Sequence, residues 1–157
     1  MADDYAVVVV REEGRWDAAR LPDRYTESLD DLVAALRQQA GDPVIGLINV
    51  ADEFFVAVRA SGSEVRMLLS DITAAVAWDL AADVADRLGV AVPGEDDVDQ
   101  VWPAGDLSIF TDLGIDEMEL GAVLADLDAY ADEMLLSIAR RAGYADAFER
   151  VTEGSPG

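Results

Sequence analysis

The 157-residue chain carries 33 acidic side chains against 11 basic ones and no histidine, a formal net charge of -22 at pH 7. Every base is Arg, and neither Cys nor Lys occurs. This excludes disulfides, zinc sites of the usual ligands, Ser-His-Asp triads, Cys-His pairs, Schiff-base chemistry and a P-loop lysine. Acidic disordered chains are poor in aliphatic residues, whereas 52% of this one is apolar. Its length suits a single domain over residues 1–151 that buries about two-thirds of its unfolded surface.

Tyr5 to Val10 is rich in Val and is followed, after Gly14, by a second apolar-polar segment from Arg15 to Leu21. Two β-prone runs around a Gly-containing turn predict a hairpin, with Pro22 ending the pairing. Residues 28–40 carry the clearest helical pattern. Leu29, Leu32, Val33 and Leu36 share a face, Ser28 is placed to cap, and Gly41 and Pro43 close the segment. Three strands are expected next, Val44–Val50, Phe54–Ala60 and Glu64–Leu69, with turns at Ala51-Asp52-Glu53 and Ser61-Gly62-Ser63. The last alternates as Val65-Arg66-Met67, so one of its faces is expected to be wet.

Ser70 to Leu88 reads as one helix with Val76, Leu80, Val84 and Leu88 in register and Gly89 as its C-terminal glycine. After Pro93-Gly94 the composition changes, and residues 95–114 read mainly as loop. Two helices follow, one presenting Leu120, Val123, Leu124 and Leu127, the other Leu135, Ile138, Ala139 and Ala142. Gly143 breaks the second before a short turn around Phe148. No internal repeat is evident. The expected class is α+β: a mostly antiparallel sheet of about five strands packed on one helix (residues 5–70), a helical C-terminal half (71–151), and a disordered tail at 152–157.

The feature that stands out is the stretch from Leu88 to Ala139, which holds thirteen carboxylates and no base. Apolar residues at helical spacing mark it as folded. Within it, Glu95, Asp97 and Asp99 alternate like a calcium loop and Asp106 falls at the twelfth position, but Gln100 stands where the sharp turn needs Gly. Asp106, Asp112, Asp116 and Glu117 are the remaining divalent-metal candidates, weak because spacings of this kind arise by chance among so many acids. No carboxylate pair can be singled out for glycoside chemistry. Trp16 and Trp78 suit packing roles, whereas Trp102, beside Pro103 in the acidic loop, suits a contact residue.

Phosphate affinity comes mainly from Arg and Lys. Residues 1–87 hold eight Arg against seventeen acids, scattered without a basic stripe, so direct nucleic-acid binding is not expected. The opening Met-Ala-Asp-Asp has neither a basic nor an apolar leader region, and the apolar runs are too short to span a bilayer. A cytoplasmic protein without membrane attachment is therefore expected.

Leu68-Leu69-Ser70-Asp71-Ile72-Thr73-Ala74-Ala75-Val76, Ala104-Gly105-Asp106-Leu107, Asp116-Glu117-Met118-Glu119-Leu120-Gly121 and Asp132-Glu133-Met134-Leu135-Leu136-Ser137-Ile138-Ala139-Arg140-Arg141 together resemble the actinobacterial tRNA adenosine deaminase-associated proteins. The likeness covers roughly residues 5–151. It implies a link to a tRNA adenosine deaminase, through the gene proximity for which the family is named, and it supplies no catalytic residues and no cofactor. Combined with the charge, it leads to the expectation of a non-catalytic accessory protein that docks on a basic protein such as that deaminase and modulates it. The contact residues expected are Asp96, Asp97, Asp99, Trp102, Asp106, Ile109, Phe110, Asp112, Asp116, Glu117 and Glu119, with the acids steering encounter and the apolar groups anchoring it. The alternatives are a carboxylate-based metal-dependent enzyme and a module whose charge serves solubility alone.

Overall fold

The computed structural model describes residues 4–39, 41, 43–61, 64–91, 103–126 and 129–152. β1 (Tyr5–Glu12) and β2 (Arg15–Leu21) form the expected hairpin. Glu13 and Gly14 both take positive φ (54° and 80°), the two-residue turn whose twist matches that of paired strands. A 3-10 turn at Asp23–Thr26 leads into α1 (Leu29–Arg37), where the Ser28 hydroxyl accepts the Asp31 N–H at 3.2 Å. β3 (Val44–Val50), β4 (Phe54–Ser61) and β5 (Glu64–Leu69) follow. With a two-residue β6 (Ala104–Gly105), they complete an antiparallel sheet of order β2-β1-β3-β4-β5-β6. The class is α+β.

Period-two alternation sends the strand side chains into two separate cores. Ala6, Val8, Ile48, Val56, Val58 and Leu69 face α1 and α2, while Val7, Val9, Ile45, Leu47, Phe55 and Leu68 face the C-terminal helices. The sheet is thus covered on both faces, not by the first helix alone. β3, buried along its whole length, sits in the middle and reads as an unbroken apolar run for that reason. Gly46 in this strand lies close under α1: a Cβ there would stand 3.1 Å from the Leu32 and Leu36 methyls.

The segment expected as one helix from Ser70 to Leu88 is divided. The Asp71 carboxylate accepts from the Thr73 N–H (2.9 Å) and hydroxyl (2.6 Å), winding Ile72–Val76 into a 3-10 turn. Trp78 is extended before α2 (Asp79–Leu88) begins. The break shifts the phase, so Leu80 and Val84 are buried as expected but Val76 is exposed. Gly89 ends α2 in the left-handed conformation (φ 71°). A hairpin, a 3-10 turn and an amphipathic helix therefore occur twice, with β3 between the two sets, and α1 and α2 lie on the same sheet face, bridged by Arg87 to Asp30 (2.7 Å).

On the opposite face lie α3 (Glu117–Leu124), α4 (Ala131–Ala142) and α5 (Ala145–Thr152). The expected faces of α3 and α4 are inward: Leu120, Leu124, Leu135, Ile138 and Ala139 are buried. Leu127 lies outside the described residues. Gly143 (φ 101°) separates α4 from α5, which is a helix of eight residues where only a turn around Phe148 was expected. Of the tail expected at 152–157, Thr152 closes α5 and the rest lies outside the described residues. Among the described residues no helix is long and apolar enough to cross a membrane.

Candidate partner-binding face

Arg59 on β4 and Arg66 on β5 are directly opposed across the strand pair. Two like charges in register are unfavourable by themselves, and the acidic segment from Asp106 to Asp112 resolves the conflict. Arg59 donates to the Ile109 carbonyl (2.7 Å) and grips Asp112 with both terminal nitrogens (2.6 and 3.0 Å). Arg66 donates to Asp106 (2.6 Å), to the Ser108 carbonyl (2.8 Å) and to the Ser108 hydroxyl (3.0 Å). The other Asp106 oxygen accepts the Ser108 N–H (2.9 Å) and hydroxyl.

These contacts hold both carboxyls below the ordinary carboxylate range. For Asp112 the Arg59 hydrogen bond is the leading cause. For Asp106, partial burial pushes upward but is outweighed by the hydrogen bonds from Ser108 and Arg66. The face of β5 expected to be wet is instead partly roofed by this strap.

Those of the residues nominated from the sequence that are described do not come together into one surface. Ile109 and Phe110 are fully buried in the core under α3 and α4. This corrects their expected role as surface anchors: the strap presses them into the sheet. Asp106 and Asp112 are held by Arg66 and Arg59. The Asp116 carboxylate caps α3 through the Glu119 N–H (2.7 Å), and Glu119 pairs with Arg141 of α4. Glu117 is exposed. Asp96, Asp97, Asp99 and Trp102 lie outside the described residues. Asp106, Asp112, Asp116 and Glu117 thus do not converge, and among the described residues no group of three or more acids is arranged to hold a metal ion. Trp16 packs on Tyr144 (ring centroids 5.2 Å apart) and Trp78 on Phe54 (5.9 Å).

A different acidic feature is assembled by the fold. The β3–β4 turn holds two non-glycine residues at positive φ, Ala51 (53°) and Asp52 (59°), a conformation costing roughly 1–2 kcal/mol per residue without local compensation. The compensation is visible. The Ala51 N–H donates to Asp4 (2.7 Å), buried Asn49 exchanges hydrogen bonds with Asp52 (3.1 and 3.3 Å), and the Asp132 N–H donates to the Asp52 carboxylate (2.8 Å). The Ala131 N–H donates to the Asp52 carbonyl (3.3 Å). The turn therefore caps α4, satisfying N–H groups that a helix start leaves open. Tyr5 completes the network by donating to Asp132 (2.8 Å). Burial, then the Asp132 hydrogen bond, pushes the Tyr5 phenol well above its ordinary pKa, so it stays a donor.

Beside this turn is a depression of about 270 Å³ whose acids are Asp52, Glu53, Asp71 and Asp126. A second, of about 330 Å³, lies between α3 and α4 and shares Asp126, Ala129 and Met134 with the first. Tyr130 is 64% exposed on the wall of the first, and Met118, 87% exposed, lies one helical turn before Ala122 of the second. A larger depression of about 690 Å³ around Trp16 and Gly143 mixes Glu12, Glu13, Asp17 and Asp146 with Arg15 and Arg150, so its charge is not of one sign. The groove between the β3–β4 turn and α3 was invisible to spacing arguments, because its walls come from segments some seventy residues apart (Asp52 against Asp126).

The sequence pattern of a family described as Rv3753c-like tRNA adenosine deaminase-associated protein matches residues 4–145. Protein Rv3753c of Mycobacterium tuberculosis is 43% identical over 154 residues, covering 96% of this chain and 88% of that protein. No solved structure matches. The span of the match takes in the sheet, the strap and the helices that wall the groove, and the chain belongs to the Rv3753c-like tRNA adenosine deaminase-associated protein family.

Proposed function

We propose that the chain is a non-catalytic accessory protein that docks on a tRNA adenosine deaminase in the cytoplasm and modulates its access to tRNA. The family match carries this reading. The charge supports it: an enzyme that handles tRNA must present cations to phosphates, and a protein of net charge -22 suits such a surface and repels the nucleic acid itself. Complementary charge of this kind speeds encounter and selects partners more than it adds affinity. Of the eleven Arg, Arg59, Arg66, Arg87 and Arg141 are engaged in internal ion pairs, which leaves the balance of the exposed surface acidic.

The test is capture of the purified deaminase by the purified protein across a salt series. Capture is expected at low ionic strength and should fade as the screening length shrinks from about 10 Å at 0.1 M to about 3 Å at 1 M salt. The same salt should leave the fold intact or stabilise it, since self-repulsion is screened too, so lost capture cannot be ascribed to unfolding. No capture at low salt, or tight tRNA binding by the isolated protein, refutes the proposal.

A further inference from the structure

We infer that the groove running from the β3–β4 turn to the cleft between α3 and α4 is a docking site for a basic segment of a partner protein, one whose Arg or Lys residues are interspersed with apolar side chains. The inference rests on the reading of this chain as a docking protein, but not on which protein it docks.

Charge complementarity selects the occupant. Asp52, Glu53, Asp71, Asp126 and Glu133 line the two adjacent depressions, which share Asp126, Ala129 and Met134, and Arg141, the one base among the described lining residues, is already paired with Glu119. Nucleic acid and anionic lipid are rejected by sign. A second copy of the chain would bring its own charge of -22 against the same face. The apolar requirement comes from Tyr130 and Met134, whose side chains border the acids, and from Met118 and Ala122 on the outer face of α3, all of which offer contact area to an aliphatic or aromatic side chain. A ring of acids around a few adaptable apolar contacts is a surface that receives amphipathic cationic segments. The rigidity is supplied from beneath, because Asp52 is fixed by Asn49 and by the start of α4.

The experiment is an amide-resolved NMR titration of the full chain with a short synthetic peptide of alternating Arg and Leu, at low salt. Shifts are expected to concentrate at Asp126, Ala129, Tyr130, Glu133 and Met134. The triple variant Glu53→Gln, Tyr130→Ala, Glu133→Gln should weaken binding about tenfold. The pair Glu12→Gln, Glu13→Gln should weaken it less than about twofold, since it alters the mixed-charge depression around Trp16 and Gly143, which shares no lining residue with the groove. Shifts spread over all acidic surfaces, equal weakening by both variants, or no binding overturns the assignment, and the wild-type shift map decides the matter even if the triple variant folds poorly. Capture of the deaminase by a folded triple variant at wild-type strength would remove the groove while leaving the accessory role in place. A peptide seated in the groove with no capture of the deaminase would do the reverse.

Discussion

Replacing Arg66 by Met should destabilise the protein by about 2 kcal/mol. Arg66 and Asp106 are 30% and 33% exposed, partly screened from water, and the guanidinium makes three hydrogen bonds to the strap. Charged hydrogen bonds of this kind are worth about 1.5–3 kcal/mol when the partner is left unsatisfied. Asp106 keeps its bonds from Ser108, and removing one of two opposed arginines relieves about 0.2–1 kcal/mol of repulsion with Arg59. In a chain of this size about 2 kcal/mol lowers Tm by roughly 4–8 °C. The linkage fixes the pH dependence. Asp106 has a depressed folded pKa, so its stabilisation is complete above the unfolded value near 3.8 and is lost as pH falls through the lower folded one. The Tm gap between wild type and variant should therefore be full at neutral pH and narrow in acid. Scanning calorimetry across a pH series measures it. A gap absent at pH 7 would show that Arg66 does not hold the strap, and a gap unchanged in acid would show that it holds it through Ser108 and not through Asp106.

Three further outcomes are expected. Tyr144 buries its hydroxyl without a hydrogen-bond partner among the described residues and with a raised pKa from that burial, so Tyr144→Phe should stabilise by about 1 kcal/mol in urea unfolding; a loss of stability would reveal a partner such as a buried water. Ala51→Gly relieves the positive φ at the β3–β4 turn and should raise stability by about 0.5–1 kcal/mol after the chain-entropy cost of Gly. Phe110→Ala opens the core between sheet and helices and should cost about 3–5 kcal/mol; full stability with lost partner binding would restore Phe110 as an anchor.

The parts of the fold legible in the sequence are those set by neighbours in the chain. The Glu13-Gly14 hairpin, the α1 cap at Ser28, the α4 stripe of Leu135, Ile138 and Ala139, and the Gly143 break follow from local periodicity and turn chemistry. Where long-range contacts decide, the pattern is silent. β6 exists because Gly105 (φ 109°) can lie against Met67, where a Cβ would stand 2.4 Å from its carbonyl oxygen. The helix expected over Ser70–Leu88 divides at Trp78, which is extended between the 3-10 turn and α2, a break invisible to hydrophobic spacing. The acidic stretch is legible as acidic, but not which of its members are used internally. Asp106 and Asp112 are matched by Arg66 and Arg59, forty and fifty-three positions away. Ile109 and Phe110 looked available only because their cover, α3 and α4, lies downstream.

The margins of the sheet bear on how this protein behaves when concentrated. On one side it ends in β2, whose exposed positions include Arg15, Asp17 and Arg20; on the other it ends in a stub only two residues long. A neighbouring molecule looking for a strand to zip onto meets alternating charge at the first margin and, at the second, a stub beyond which β5 presents Glu64 and Arg66. Fibrillar association is thereby discouraged at both margins by their own charged side chains, independently of the net charge of the molecule.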